Sequence, residues 1–269
     1  MRRLLFAVLL LASALVQAGQ DGARRVVALA PSLSEIMVEL GAAERLVGVL
    51  DGGPRPPALA HLPSLGRHGQ LSMESLLSLQ PDLILLWPDS VGPAVQVQLQ
   101  SLGIPLIEAQ PHSLNELAGQ LAVIGAAVGH AEEGERLAAR MRAGVRELAL
   151  RHARAEPLTV FYQVWERPMY TLGGQQIISD ALRLCGARNV FGDLALPAPQ
   201  VSVESVLARD PAVILVGEPG QAGAWQAWPQ LTAVRRGQVW EVPDEGIERP
   251  SFQMLAATAR LCELLARAR

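Results

Sequence analysis

A sixteen-residue segment occurs twice in this chain, and this duplication is the strongest constraint on its fold. The first copy spans residues 71–86 and the second residues 201–216, 130 positions later; seven aligned positions are identical, including Glu74 and Glu204. The chain is therefore predicted to form two related lobes, each exposing one matching glutamate. A two-lobed α/β protein commonly holds its ligand between the lobes, and a pair of equivalent carboxylates favours a partner that is itself two-fold.

Both copies predict the same local structure. Ser72 and Ser202 are suited to cap a short helix, and Glu74 or Glu204 then falls in its first turn, where a carboxylate suits the positive end of the helix dipole. A proline ends the helix, and the continuous apolar run after it is typical of a buried strand. From this pattern the glutamates are either helix-start residues or groups that contact a partner.

Short apolar strands alternate with helical patterns along the rest of the chain, which is typical of βαβ units. The chain is therefore assigned to the α/β class, with a parallel-type sheet in each lobe. Strands are predicted at 25–30, 46–50, 158–164 and 238–242, and helices at 34–40, opened by a serine cap, and at 177–184.

A charged, proline-free segment from Glu132 to His152 carries apolar residues at helical spacing. It predicts one long amphipathic helix, which at about 20 residues would span on the order of 30 Å and join the lobes rigidly. The predicted organisation is a signal peptide at 1–18, an N-terminal lobe at 19–130, an inter-lobe helix at 131–157 and a C-terminal lobe at 158–269.

The N-terminus has the pattern of a cleavable secretory signal, with Arg2 and Arg3 before an apolar run and small residues at the cleavage point. An uncleaved anchor is the alternative. No later segment reaches the roughly 20 apolar residues of a spanning helix, so an exported soluble protein is expected. The formal net charge is −3 and becomes more negative when the leader is removed, which argues against a nucleic-acid partner.

The two cysteines, Cys185 and Cys262, are predicted to form a disulfide because an exported protein meets an oxidising compartment. Two buried free thiols are the alternative. A disulfide closing a loop of this length would stabilise the second lobe by roughly 4 kcal/mol.

Catalytic and metal-binding patterns have little support. The chain has no Gly-x-Ser-x-Gly elbow, no phosphate-binding glycine loop and no histidine pair at zinc-protease spacing, so it is not expected to be an enzyme. Its five histidines are scattered, and only His68 and His112 fall in loops suited to a site. No metal site is therefore expected.

Several residues suit a large organic ligand, which needs aromatic surface and a few polar groups at its rim. In an α/β sheet such groups follow the strands. Trp87 follows the strand at 83–86, Trp165 follows the strand ending at Val164, and the segment 244–249 follows the last strand. Ordinary packing is the alternative for these two tryptophans, and it is the favoured role for Trp225, Trp228 and Trp240.

A set of short segments carries a resemblance to a known family: Ala30-Pro31-Ser32 with Glu35, Pro81-Asp82-Leu83 through Trp87, Cys185-Gly186 with Asn189-Val190-Phe191, Pro199-Gln200-Val201-Ser202, Val206-Leu207-Ala208-Arg209, and Cys262. Over nearly its whole mature length the chain resembles periplasmic cobalamin-binding proteins that deliver the vitamin to an ABC importer. The resemblance implies a class III periplasmic binding protein, a monomer with cobalamin as its transported ligand, no cofactor, and a disulfide between the two cysteines.

The resemblance also implies roles for individual residues. In that family, carboxylates at the positions of Glu74 and Glu204 dock onto arginines of the two permease subunits, which is compatible with a helix-start position. The expected ligand-binding set is Gly52, Arg67, His68, Trp87, Trp165, Asp244, Glu245, Glu248 and Arg249.

The chain departs from the family pattern at three aromatic positions. Gly52 stands where the family has a tyrosine, and His68 and Ala198 stand where it has tryptophans. Trp165 is an addition expected to cover the ligand from a different side, while Arg67 or Arg249 is expected to meet amides or the phosphate at its edge. Haem is the alternative ligand because His68 is suited to act as an axial ligand; a ferric-siderophore carrier and a ligand-sensing module are further alternatives.

Overall fold

The computed structural model describes residues 22–218 and 220–269, so the predicted signal peptide lies outside the described residues. The described chain divides into two compact units, one comprising 22–110 and 120–137 and the other 111–119 and 138–269. Each unit contains a mainly parallel sheet with helices, which confirms the predicted α/β class. The lobe boundaries proposed from the sequence stay a prediction.

The first unit is built around one sheet. Its strands are β1 Val26–Leu29, β2 Leu46–Asp51, β3 Ser64–Arg67, β4 Gln70–Leu71, β5 Leu83–Leu86 and β6 Leu106–Glu108, and helices α1 Pro31–Glu39, α2 Met73–Ser78 and α3 Pro93–Ser101 lie between them in sequence. The strand order is β4-β3-β2-β1-β5-β6. All neighbours run parallel except β3 and β4, which form a short antiparallel hairpin at the edge.

The centre of this sheet explains the continuous apolar runs in the sequence. Strands β1 and β5 pair in parallel and are buried along their whole length. A central parallel strand is covered on both faces, so it needs apolar residues at every position rather than at alternate ones. Val27 and Leu29 of β1 belong to the same buried apolar cluster as Ile84 of β5.

Helix α1 begins earlier than the sequence predicted. The helix predicted at 34–40 is present, but its predicted start and serine cap are wrong: α1 begins at Pro31, with Ala30 at the N-cap position and no capping side chain. The fixed φ of proline suits the first position of a helix. The hydroxyl of Ser34 instead donates a hydrogen bond to the Ala30 carbonyl at 3.1 Å.

Helices α4 Leu114–Ala127 and α5 Ala131–Arg151 follow, and α5 confirms the long helix predicted from residues 132–152. Within the first unit, the two helices approach closely at Gly125 and Gly134. A Cβ atom added at Gly125 would lie 2.8 Å from the Cα of Gly134, so only glycine fits this approach without displacement.

The second unit contains β7 Leu158–Gln163, α6 Ile177–Leu184, β8 Ala187–Asn189, α7 Val203–Arg209, β9 Val213–Val216, α8 Thr232–Arg235, β10 Val239–Glu241 and α9 Met254–Leu265. Its sheet has the order β10-β9-β7-β8, and all its strand pairs are parallel. Central strand β7 packs Phe161 edge-to-face against Phe191 and Trp225, with ring centroids 5.6 Å apart in both pairs.

A disulfide joins Cys185, the residue that caps the end of α6, to Cys262 in α9. Both residues are buried, at 1% and 0% exposure. The predicted disulfide is therefore confirmed, and it fastens the last helix of the chain to the helix that precedes β8.

Candidate functional site

Four of the predicted ligand-binding residues lie at one edge of the first sheet. Gly52 directly follows β2, Arg67 ends β3, His68 occupies the turn between β3 and β4, and Trp87 directly follows β5. Because β2, β3 and β5 belong to the parallel part of the sheet, their carboxyl ends lie along the same edge. Trp87 is half-buried and the other three residues are exposed.

A backbone hydrogen bond connects the loop that carries His68 to the loop that carries Trp87. The turn that carries His68 continues into Gly69, whose N–H donates to the carbonyl of Ser90 at 2.9 Å. Ser90 ends the short 3-10 turn Pro88–Ser90 that begins beside Trp87. The His68 turn and the Trp87 loop are thus held next to each other by a backbone hydrogen bond.

The Gly52 loop is fixed by Asp51, the last residue of β2. The Asp51 carboxylate accepts hydrogen bonds from Ser64 Oγ at 2.5 Å and from Arg55 Nε at 2.6 Å. The Ser64 hydrogen bond, followed by the Arg55 guanidinium, lowers the pKa of Asp51. A Cβ at Gly52 would lie 2.7 Å from Cγ of Pro31, so the family's tyrosine would displace the Pro31 ring here.

In the second unit, Trp165 follows β7 and is 49% exposed. Its indole N–H donates to the carbonyl of Arg167 at 3.2 Å, and its backbone forms an antiparallel bridge with Tyr170. The loop that carries Trp165 is therefore an ordered hairpin. It presents about half of a large aromatic side chain at the carboxyl end of the central strand.

The predicted acidic segment forms a 3-10 turn, Glu245–Glu248, after β10. Asp244 caps this turn: its Oδ1 accepts from the Gly246 N–H at 2.8 Å, and its Oδ2 accepts from Arg260. Glu245 is exposed, and Arg249 is half-buried. The Oε1 atom of Glu248 accepts from the Tyr162 hydroxyl at 2.8 Å.

A chain of buried polar side chains lies beside the end of β7 and was missed by the sequence reasoning. The Trp225 indole N–H donates to Gln163 Oε1, and Gln163 Nε2 donates to Gln221 Oε1, both at 2.8 Å. Gln221 Nε2 in turn donates to Glu218 at 2.6 Å. The signal available in the sequence was Gln163 itself, an amide side chain at the end of a strand whose residues are mostly apolar or aromatic.

A pocket of about 240 Å³ opens beside this polar chain. Its walls are Met169, Val203, Ala224, Trp225 and Trp228, with Gln163 and the residues Glu166 and Arg167 completing the lining. Glu166 and Arg167 pair with each other at 2.8 Å. The combination of aromatic walls and a few polar groups suits an organic group rather than an ion.

The two repeat copies adopt the same local structure. Ser72 caps α2 by accepting the Ser75 N–H at 3.2 Å, and Ser202 caps α7 by accepting the Ser205 N–H at 3.3 Å. Before the proline that follows each helix, the aligned residues Gln80 and Asp210 both have positive φ, at 46° and 37°. These are two unusual conformations for residues other than glycine, so the copies match even in their strained backbone.

Glu74 and Glu204 therefore occupy equivalent positions, in the first turn of α2 and of α7, and both are exposed. The hydrogen bond from the Ser202 side chain lowers the pKa of Glu204, which favours the ionised carboxylate. Beside α7, an open groove is lined by Ser202, Ser205 and Arg209, whose guanidinium lies 4.4 Å above the Phe191 ring.

The part of the chain that the structure describes shows neither a metal-binding cluster nor a membrane-spanning helix. Among residues 22–218 and 220–269, no group of three or more His, Cys, Asp or Glu side chains is arranged to hold a metal ion. His112, one of the two histidines in loops suited to a site, donates from Nδ1–H to the carbonyl of Gln175 at 2.8 Å. In that same part of the chain, no helix combines the length and apolar character needed to cross a membrane.

The predicted ligand-binding residues thus form two groups, one at the carboxyl edge of each sheet. Gly52, Arg67, His68 and Trp87 belong to the first unit, and Trp165 with the 244–249 segment belongs to the second. Asp244 differs from the others because both of its carboxylate oxygens are engaged within the protein. Contact of these residues with a ligand stays a prediction.

Comparison with known proteins agrees with the resemblance seen in the sequence. The family model described as "Periplasmic binding protein" matches residues 26–245. The chain is 33% identical over 246 residues to a vitamin B12-binding protein of Vibrio cholerae serotype O1. The aligned region covers 90% of this chain and 89% of that protein.

Two solved structures extend the comparison. The crystal structure of the periplasmic vitamin B12-binding protein of Vibrio cholerae matches with a TM-score of 0.84 and 33% identity, covering 91% of this chain and 97% of that chain. The periplasmic haem-binding protein of Roseiflexus sp. RS-1, in its apo form, matches with a TM-score of 0.75 and 26% identity, covering 90% of this chain and 98% of that one.

Proposed function

The chain belongs to the periplasmic binding protein family, and from that premise we propose that it captures cobalamin and delivers it to an ABC importer. The observation that carries this proposal is the match to vitamin B12-binding proteins at 33% identity over nearly the full length of both chains. A match of this extent includes both sheets and both repeat copies, so it is not confined to one shared motif.

In this proposal the loops at the carboxyl edges of the sheets bind the vitamin. Trp87 and Trp165 offer flat apolar surface for the corrin ring, and the exposed side chains of Arg67 and Glu245 offer polar contacts for its rim. Gly52 and His68 leave the first edge less aromatic than the family pattern. Trp165, half exposed on its hairpin, supplies part of the missing surface.

Binding without chemistry is the expected activity. The protein works as a monomeric carrier in the periplasm, after removal of residues 1–18, and it is not an enzyme. No resident cofactor or metal takes part, and cobalamin is the cargo.

A pair of matched tryptophan variants tests the ligand site. Trp87→Ala is expected to weaken cobalamin binding, because the half-buried indole would no longer cover the ring. Trp240→Ala removes another half-buried tryptophan whose N–H is bonded to Gly237, away from the proposed site, and is the control. Equal affinity of both variants and the unchanged protein in equilibrium dialysis would argue against the proposed role of Trp87.

Glu74 and Glu204 are proposed to dock onto arginines of the importer's permease subunits. Charge-assisted contacts with arginine are stronger than neutral hydrogen bonds, and two equivalent helices suit a two-fold partner. The double variant Glu74→Ala, Glu204→Ala should therefore bind cobalamin normally but fail to support its uptake. The control removes two other exposed glutamates, Glu135 and Glu263, and should leave uptake unchanged; normal uptake by the docking variant would refute the docking role.

Haem is the second candidate ligand, favoured by the match to a haem-binding protein and by the exposed His68 near Trp87. Dialysis of the protein against an equimolar mixture of cyanocobalamin and hemin separates the two candidates. A retained corrin spectrum supports the main proposal. A retained haem spectrum that is lost in His68→Ala would favour the alternative.

A further inference from the structure

Tyr162 is a fully buried tyrosine in the central strand of the second sheet, and its hydroxyl reaches out of that strand to the acidic turn. The residue has 0% exposure, while its neighbour Phe161 points into the aromatic cluster on the opposite face. A buried phenol needs a hydrogen-bond partner. Its partner is Oε1 of Glu248, at 2.8 Å.

Glu248 is exposed, yet the sheet determines the direction of its carboxylate. Besides the Tyr162 hydroxyl, Oε1 lies against Gly217, the residue directly after β9: a Cβ added there would be only 3.1 Å from this oxygen. The oxygen is thus seated over the ends of two adjacent strands, β7 and β9. Since the two carboxylate oxygens share one carbon, holding Oε1 restricts the directions that Oε2 can take.

Asp244 and Glu248, two carboxylates of the segment 244–249, have different structural roles. Asp244 uses Oδ1 to cap the turn through the Gly246 N–H and Oδ2 to bind Arg260, so its role is to hold the turn in place. Glu248 is oriented by a buried side chain while it remains exposed. An exposed carboxylate with a fixed direction is what a hydrogen-bond acceptor for a ligand requires, because little conformational freedom is then lost on binding.

From this geometry we infer that Tyr162 is a positioning residue for ligand binding: its buried hydroxyl orients the Glu248 carboxylate as an acceptor for amide N–H groups at the ligand's rim. The inference rests on the proposed function, because primary amides are the donors that the periphery of cobalamin offers. Glu248 contacts the ligand, and Tyr162 acts only through Glu248.

The direct test is Tyr162→Phe, which removes only the hydroxyl. Cyanocobalamin binding, measured by calorimetry, should weaken by up to roughly tenfold, because the Glu248 side chain would no longer be ordered in advance and would lose its freedom on binding. The matched control is Thr171→Val, since Thr171 is also fully buried and its hydroxyl donates to the Tyr162 carbonyl at 2.7 Å. This control should lower the unfolding temperature while leaving affinity within about twofold.

A double-mutant cycle distinguishes positioning from a general loss of structure. In a Glu248→Ala background, Tyr162→Phe should cause no further loss of affinity, because the group that it positions is absent. Equal losses from Tyr162→Phe in both backgrounds, or an affinity unchanged by Tyr162→Phe, would overturn the inference. Failure of the unchanged protein to bind cyanocobalamin would instead refute the proposed function, and the inference with it.

A ligand series gives a second readout that does not depend on the folding of a Tyr162 variant. Cobalamin monocarboxylic acids carry a carboxylate in place of one peripheral amide. At least one of the b, d and e isomers should bind the unchanged protein more weakly than cobalamin does, because two carboxylates would face each other, and Glu248→Ala should remove this discrimination. If the ratio of the affinities for cobalamin and for each monocarboxylic acid were the same in the unchanged protein and in Glu248→Ala, Glu248 would not contact the ligand.

Discussion

Gln163 is expected to be the most sensitive polar residue in the second unit. It is 1% exposed and links two other side chains, accepting from the Trp225 indole and donating to Gln221, both at 2.8 Å. Leucine is close to glutamine in size, so Gln163→Leu removes both hydrogen bonds while creating little empty space. The Trp225 N–H, in a residue that is 3% exposed, would then be buried without a partner.

The magnitude follows from the two groups left behind. An unsatisfied buried donor or acceptor costs about 1–3 kcal/mol. The amide nitrogen of Gln221 still donates to Glu218, and Gln221 is 9% exposed. Leaving its oxygen without a partner should therefore destabilise the fold less than leaving the Trp225 N–H without one. The added burial of a leucine side chain offsets part of the loss. We expect Gln163→Leu to lower the free energy of unfolding by about 2–3 kcal/mol.

Urea unfolding followed by near-UV circular dichroism measures this effect, with the disulfide kept intact. Gln226→Leu is the matched control, because it makes the same substitution at an exposed glutamine. Gln226 lies beside Trp225 in the 3-10 segment Gln221–Ala227. The control should change the free energy of unfolding by less than about 0.5 kcal/mol. If Gln163→Leu were as stable as the control, the hydrogen-bonded chain would have no energetic role and the reasoning would fail.

Three further perturbations have expected outcomes. Reducing the Cys185–Cys262 disulfide should lower the stability of the second unit by about 4 kcal/mol, measured by denaturant unfolding with and without reductant. Burial, followed by the charge of Glu248, raises the pKa of Tyr162 well above 10. The neutral phenol therefore contributes its full share to the folding free energy below about pH 10, and this share falls as the pH rises further. Tyr162→Phe should lose less thermal stability than the parent over this alkaline range, in which no lysine titrates because the chain has none. Gly125→Val should push α4 away from α5 and lower the midpoint of thermal unfolding, since the valine Cβ would fall 2.8 Å from the Gly134 Cα. A midpoint equal to that of the parent protein would contradict this close packing.

Local sequence patterns predicted the elements whose causes are local. The strands Leu83–Leu86 and Val213–Val216 lie where a buried strand was predicted in each copy, because an uninterrupted apolar run follows a proline there. The caps at Ser72 and Ser202 were also predicted correctly, since each bond spans only three residues. Helix α1 was predicted to begin too late because a serine was given more weight than the proline that occupies the first helical position.

Contacts between distant segments were beyond the sequence patterns. The Tyr162–Glu248 hydrogen bond joins residues 86 positions apart, and the Gln163–Trp225 bond joins residues 62 positions apart. No periodicity or motif indicates which buried side chain meets which loop. For the same reason Asp244 and Glu248 looked equivalent in the sequence, although the first holds its own turn and the second is held by the sheet.

Titration calorimetry decides whether this periplasmic binding protein carries cobalamin. The purified mature protein should release or absorb heat with cyanocobalamin at a stoichiometry of one ligand per chain, and it should give no comparable signal with hemin or with a ferric siderophore. Micromolar or tighter binding of hemin, with no heat from cyanocobalamin, would contradict the account and assign the site to haem.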